Sequence, residues 1–135
     1  MAIPNGSGSE VLRNAAINQN NATTAQVDFG AATGTGSVRS TGNSAGVTAV
    51  PANVIITVIN ITCSVGGADQ GNISATIDWQ GGGTDILIFK QMNVLDNTTF
   101  IYNERMVLRE GDILKLYNSA NWCDWSVNFI YQDWT

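Results

Sequence analysis

Two segments in the second half of the chain alternate between apolar and polar residues with the period of two that is typical of β-strands. Residues 72–79 and 124–131 each place every second side chain on an apolar face. This pattern predicts two strands that each bury one face and expose the other to solvent. The apolar positions are Ile73, Ala75, Ile77 and Trp79 in the first segment, and Trp125, Val127, Phe129 and Tyr131 in the second.

Further short apolar segments surround these two. Residues 54–63 are rich in β-branched side chains and begin apolar on both faces, which predicts a buried strand. Shorter apolar runs occupy residues 85–91, 98–102, 105–108 and 112–117, and glycine or asparagine separates them. No helical period is present. The pattern predicts an all-β protein, an antiparallel β-sandwich or jelly roll.

The composition of the chain changes near Pro51. Residues 1–50 contain seven glycines and six asparagines, and only one of the eleven aromatic residues. Such a segment has too little apolar mass to fold by itself. Within it, residues 10–17 could form a short helix or an extended strand, of which we favour the strand, and residues 25–29 favour a strand. We therefore predict an extended, Gly/Asn-rich arm over residues 1–50 that anchors an assembly, and a β-sandwich body over residues 51–135. A disordered tail is the alternative for the arm.

The arm would contact other proteins through its large apolar and charged side chains. These are Val11, Leu12, Arg13, Ile17, Val27, Phe29 and Arg39.

Charge and residue usage exclude several classes of function. The chain has 135 residues, a net charge of −5 and no histidine. The lack of histidine excludes serine triads, Cys-His dyads and His-based zinc sites. Acidic net charge argues against nucleic-acid binding. The chain has no apolar run of 18 residues and no signal-peptide pattern at its N-terminus, which predicts a protein made in the cytoplasm that does not cross a membrane.

Pairs of carboxylates are the remaining candidates for catalysis. Asp78 with Asp85, or Glu110 with Asp112, would suit a glycosidase. However, Asp78 lies on the polar face of a predicted strand and Asp112 lies at a turn, where carboxylates are normally solvated. We therefore predict that the protein is not an enzyme and has no cofactor or metal. The oxygen-rich loop at residues 66–72 leaves a calcium ligand open.

The two cysteines, Cys63 and Cys123, each lie in or beside a predicted strand. Free, buried thiols are the expectation for a protein made in the cytoplasm, because disulfides are rare there. The sequence leaves open whether the two residues pair.

Three tryptophans are candidates for an interaction surface. Trp79, Trp122 and Trp134 could stack on sugar rings or dock into a neighbouring subunit. We favour the subunit interface, because only 13% of the residues are charged, well below the usual quarter or so. A surface with so little charge suits burial in an assembly.

Three stretches carry a resemblance to a protein family. Residues 50–53 read Val-Pro-Ala-Asn before the β-branched strand, residues 108–114 read Leu-Arg-Glu-Gly-Asp-Ile-Leu, and residues 127–131 read Val-Asn-Phe-Ile-Tyr. In this combination, over roughly residues 50–132, the chain resembles small β-sandwich virion proteins of tailed bacteriophages, of the decoration or cement type. The motifs describe turns and strands and do not define a site.

The resemblance implies a structural role in a virus particle. The expected function is a non-enzymatic capsid decoration protein that binds the shell through its arm and through neighbouring subunits. Its partners would be the major capsid protein or another virion protein, and further copies of itself, for which a trimer is the expectation since capsid lattices offer three-fold sites. The alternatives are a tail, baseplate or fibre component, and a carbohydrate-binding module for receptor recognition.

Overall fold

Strands account for most of the chain that the computed structural model describes, which comprises residues 8–20, 23–29, 37–41, 48–66, 70–119 and 122–134. Within these ranges there are ten strands and one 3₁₀ turn, Trp79–Gly81. The strands are β1 (Ser9–Asn20), β2 (Thr23–Gln26), β3 (Ser37–Thr41), β4 (Val54–Val65), β5 (Gly71–Asp78), β6 (Asp85–Val94), β7 (Thr98–Tyr102), β8 (Met106–Arg109), β9 (Ile113–Asn118) and β10 (Trp122–Asp133).

The strands form two sheets that pack face to face, so the prediction of an all-β sandwich is confirmed. The larger sheet has the order β3-β1-β10-β4, and β7 and β8 both pair with the far edge of β4. The smaller sheet has the order β2-β9-β5-β6. Pairing is antiparallel except between β1 and β3. The two longest antiparallel pairs join β10 to β1 and to β4, so these three strands are the centre of the larger sheet.

The central strands follow the alternation in the sequence. In β10, Trp125, Val127 and Phe129 are buried, while the residues between them face outward. In β4 the alternation is offset by one residue where Asn128 pairs with Asn60 and Phe129 pairs with Val58. This irregularity lets both strands keep their apolar side chains in the core on each side of it.

The core lies between the two sheets and includes side chains from both ends of the chain. Its largest fully buried members are Trp125, Phe29, Phe129, Ile17, Ile56, Ile61, Ile73, Leu108, Leu114 and Leu116. Phe29 packs edge-on against Phe129, with 5.0 Å between ring centroids and 89° between ring planes. Gln19 is also fully buried, and its Oε1 accepts a hydrogen bond of 2.8 Å from Trp125 Nε1.

The expectation of a separate extended arm over residues 1–50 is corrected by this arrangement. All twelve residues of β1 pair with β10, and β2 pairs with β9 of the opposite sheet. The described part of the segment therefore contributes two strands to the larger sheet, one strand to the smaller sheet and side chains to the shared core. The average composition of the fifty residues does not show the two short stretches that form β1 and β2. These stretches fold because β10 and β9, from the remainder of the chain, pair with them.

Candidate functional surface

The predicted anchor residues separate into buried and exposed groups. Ile17, Val27 and Phe29 are at most 1% exposed and pack inside their own subunit, so they are not available to a neighbouring protein. Their burial corrects their assignment to an assembly surface. The physical reason is the pairing of β1 and β2 with the two sheets, which turns these three side chains towards the core.

The remaining predicted anchor residues lie at the surface or outside the described side chains. Leu12 is 66% exposed and Val11 is 38% exposed. The guanidinium of Arg13 lies 4.0 Å above the ring of Tyr131, so it already makes a cation–π contact within the chain. Arg39 belongs to β3, and its side chain lies outside the described part of the structure.

The structure does not bring the three candidate tryptophans together. Trp79 is 47% exposed and Trp122 is 53% exposed. Strand β10 begins at Trp122. The Arg109 guanidinium lies 5.7 Å from the Trp79 ring. Arg109 pairs with Ile55 of β4, and Ile55 pairs with Gln132 near the other end of β10. Twelve strand residues extend about 36–40 Å. Trp79 and Trp122 therefore cannot form one stacking platform.

Trp134 is half-buried and serves a structural contact. Its ring packs on Gly8 so closely that a Cβ at that position would lie 2.4 Å from the ring. The backbone N–H of Trp134 donates to the carbonyl of Asn53 at 3.0 Å. Its buried Nε1 has no hydrogen-bond partner in the described part of the chain. These contacts hold the end of β10 against both the start of β1 and the start of β4.

Trp79 also differs from its prediction. The alternating pattern placed it on the buried face with Ile73, Ala75 and Ile77, but β5 ends at Asp78 and Trp79 starts the 3₁₀ turn. The chain must turn there because Gly81 and Gly83, with φ of 63° and 78°, adopt the left-handed backbone that glycine accepts most readily.

The segments at residues 50–53 and 108–114 meet at this end of the sandwich. Gly111 N donates to Val50 O at 2.9 Å, and Val50 N donates to Asp112 O at 3.0 Å. The buried carboxylate of Asp112 accepts hydrogen bonds from the backbone N–H groups of Gln80 (3.1 Å) and Arg109 (3.0 Å). This carboxylate has a structural role, since it ties the β8–β9 turn to the 3₁₀ turn.

The other acidic pair also has a structural explanation. Lys115 Nζ lies 3.0 Å from Asp78 Oδ2 and 3.1 Å from Asp85 Oδ1, and the N–H of Gly83 donates to Asp78 Oδ1 at 2.9 Å. The hydrogen bond from Lys115 holds the pKa of Asp78 below its usual value, against the opposing effect of burial. A carboxyl group with a lowered pKa is a poor proton donor near neutral pH.

Both cysteines are free and buried, as expected. They lie on neighbouring strands, where Cys63 pairs with Trp125 and Cys123 pairs with Val65. A hydrogen bond with Cys63, together with burial, raises the pKa of the Cys123 thiol far above its usual value. The Cys123 thiol is therefore protonated, and burial shields both side chains from reagents in solution.

Sequence reasoning missed the most exposed apolar surface. Strands β6, β7 and β8 form one lateral edge of the sandwich, where the ring of Phe89 contacts Phe100 and Tyr102 at centroid distances of 5.1 and 5.4 Å. Six large aliphatic side chains along this edge are 41–65% exposed. We call them the aliphatic rim: Ile86, Leu87, Met92, Leu95, Ile101 and Val107.

The rim belongs to strands that the sequence predicted, but exposure was not visible in the pattern. The apolar run at residues 85–91 is as hydrophobic as a buried strand, yet β6 pairs only with β5 among the described strands. Its pairing with β5 is irregular at two places, and Gln91 has a φ of 52°. The feature of the sequence that could have indicated an exposed edge strand is the lack of a long apolar–polar alternation in this apolar run.

The described residues contain no group of three or more His, Cys, Asp or Glu side chains that could hold a metal ion. The oxygen-rich loop at residues 66–72 lies partly outside the described residues. No helix in the described ranges is long and apolar enough to span a membrane. Comparisons with protein-family models, with curated proteins and with solved structures found no match to this chain.

Proposed function

We propose that this chain is a non-enzymatic structural protein of a bacteriophage particle, and specifically a decoration protein that binds the capsid shell. The aliphatic rim carries the proposal. Exposed apolar side chains that cluster on one part of a soluble protein are typical of protein–protein interfaces. Here five of them lie on three consecutive strands along one edge of the sandwich, and Leu95 lies in the connection between β6 and β7.

The rim binds the shell through side chains and not by adding a strand to a neighbour. The two register shifts between β5 and β6 interrupt the regular ladder, and such bulges are a common protection against pairing at a sheet edge. Because a lattice repeats the same contact many times, a modest apolar interface in each subunit is sufficient for retention on the particle.

The composition supports the same proposal. Only 13% of the residues are charged, so the surface presents few ions that would have to be desolvated in an interface. The segments around Val50 and Gly111 add a further argument. Both belong to the stretches that resemble phage virion proteins, and hydrogen bonds join them in this structure.

Immunogold electron microscopy of particles from the source lysate tests the proposal. An antibody raised against the full chain is expected to label the heads. Gold on tails or fibres would replace the decoration role with the tail, baseplate or fibre role. Absence of gold from all particles, with an antibody that binds the native protein in solution, would overturn the virion proposal.

A further inference from the structure

A second surface, on the outer face of the larger sheet, has a different chemistry from the rim. Three neighbouring strands present outward-facing amides and hydroxyls in paired rows. Asn14 pairs with Asn128, which pairs with Asn60, and one row further along β10 Ser126 pairs with Thr62. We call the following set the amide face: Asn14, Asn18, Asn60, Thr62, Ser64, Thr99, Trp122, Asp124, Ser126 and Asn128.

Hydrogen bonds between the side chains hold this face in one arrangement. Asn14 Nδ2 donates to Asn128 Oδ1 and to Ser126 Oγ, both at 2.7 Å, and Asn128 Nδ2 donates to Asn60 Oδ1 at 2.8 Å. The Oγ atoms of Ser64 and the adjacent strand's Thr99 lie 2.9 Å apart. A ligand would meet polar groups whose rotamers are already fixed, which reduces the conformational entropy lost on binding.

The row of amides also keeps hydrogen-bonding capacity. Within the described chain, Asn60 accepts through Oδ1, while no residue accepts from its Nδ2. Asn14 donates both Nδ2 hydrogens, to Asn128 and to Ser126. Since an amide offers two donors and an acceptor with two lone pairs, the Asn60 end of the row can bind a hydroxyl group.

Trp122 provides an apolar platform at the end of this face. It precedes Asp124 and Ser126 on the same outward side of β10, and it is 53% exposed. Its ring makes no aromatic or cation contact with the described residues, whereas the ring of Trp79 has the Arg109 guanidinium 5.7 Å away. From Trp122 to Asn128 the strand extends about 20 Å, enough to accommodate several sugar residues.

The charge on this surface selects the class of ligand. Asp124 is the one ionisable side chain of the amide face, and its Oδ1 accepts a hydrogen bond from Asn18 Nδ2. The described side chains of this face include no cation, so they do not attract phosphate or sulfate groups. Planar amides, hydroxyls and one carboxylate beside an exposed indole instead match the hydroxyl groups and the apolar C–H faces of neutral sugars.

We propose that the amide face binds a neutral polysaccharide, with the indole of Trp122 stacked on a sugar ring and the Asn14–Asn128–Asn60 row hydrogen-bonded to sugar hydroxyls. The amide face adjoins the rim, because Thr62 pairs with Ile101 and Thr99 belongs to β7. The proposal does not use the rim and stands whether or not the chain is part of a particle.

Native affinity electrophoresis of the full chain tests the proposal, with gels that contain dextran, mannan, xylan or hydroxyethyl cellulose. At least one of these neutral polymers is expected to retard the protein. Trp122→Ala is expected to weaken that binding at least tenfold, and Trp122→Phe is expected to retain part of it. Trp79→Ala is the matched control, because Trp79 is almost as exposed but lies at the opposite end of the sandwich.

Three results would overturn the proposal. The first is no retardation by any of the four polymers. The second is equal weakening by Trp122→Ala and Trp79→Ala, and the third is retardation only by an anionic polymer such as polygalacturonate. The thermal unfolding of each variant is measured alongside the gels. We expect unchanged melting temperatures, because the side chains of Trp79 and Trp122 are 47% and 53% exposed.

Discussion

Replacement of Phe29 by alanine tests whether the N-terminal segment is part of the cooperative fold. Phe29 is 0% exposed, and its ring packs edge-on against Phe129 at a centroid distance of 5.0 Å. Removal of a fully buried phenylalanine leaves a cavity and loses its transfer free energy, which together lower stability by about 3–5 kcal/mol. Part of this loss is the edge-on ring contact, worth about 0.5–1.5 kcal/mol.

Urea unfolding followed by tryptophan fluorescence measures the effect. For an m-value of about 2 kcal/mol/M, a loss of about 4 kcal/mol lowers the midpoint by about 2 M. The matched control is Leu12→Ala, because Leu12 comes from the same segment but is 66% exposed. We expect the control to change stability by no more than about 0.5 kcal/mol. If both variants unfold at the wild-type midpoint, the segment is not packed in the core and the fold described here is wrong.

Three further predictions concern the ion pairs, the β8–β9 turn and the thiols. The pKa of Asp78 is lowered in the folded protein. Its contribution to stability is therefore present above about pH 4 and is lost as the pH falls through the pKa of the folded state. Lys115→Met should reduce this acid-dependent loss of stability, measured by urea unfolding between pH 5 and pH 2. Gly111→Ala should lower stability by about 1–3 kcal/mol in thermal unfolding, since Gly111 has a φ of 88° and an added Cβ would lie 3.2 Å from a backbone atom of the 3₁₀ turn. Cys63 and Cys123 should react with a thiol reagent only after the protein is unfolded in urea, and rapid reaction of the native protein would contradict their burial.

The strands were predictable where one face is buried and the other is solvated. The alternation at residues 72–79 and 124–131 corresponds to β5 and β10, and the β-branched run at residues 54–63 corresponds to β4. These strands lie within the sheets, and their alternating hydrophobic positions, such as Ile73, Val127 and Phe129, lie in the core. Trp79 is the exception, because the glycines after it turn the chain before its side chain can join the buried face.

The role of the N-terminal segment could not be predicted from its average composition. Its glycines and asparagines dilute the apolar residues over fifty positions, but Ile17, Val27 and Phe29 are concentrated within thirteen. Their burial depends on partners more than eighty residues away, since β1 pairs with β10 and β2 pairs with β9. Local patterns do not contain this long-range pairing.

The two candidate surfaces depend on position within the sheets. The apolar run at residues 85–91 becomes part of the rim because β6 is an edge strand, and strand order is not encoded in a local pattern. The amide face depends on register, because Asn14, Asn60 and Asn128 become neighbours only when three separate strands align. Of the predicted tryptophans, Trp122 alone lies on this face.

The incorporation of rim variants into particles tests whether the rim binds the shell. Val107→Asp places a charge in the rim, and Leu12→Asp is its matched control, since the two side chains are 65% and 66% exposed. Both lie on the outer face of the larger sheet, but β10 and β4 separate Leu12 on β1 from Val107 on β8. Particles purified on a density gradient are assayed for the protein by immunoblot. If the rim binds the shell, we expect at least a tenfold loss of bound Val107→Asp protein and wild-type amounts of Leu12→Asp protein. Wild-type incorporation of the Val107→Asp protein, or a selective loss of the Leu12→Asp protein, would contradict it.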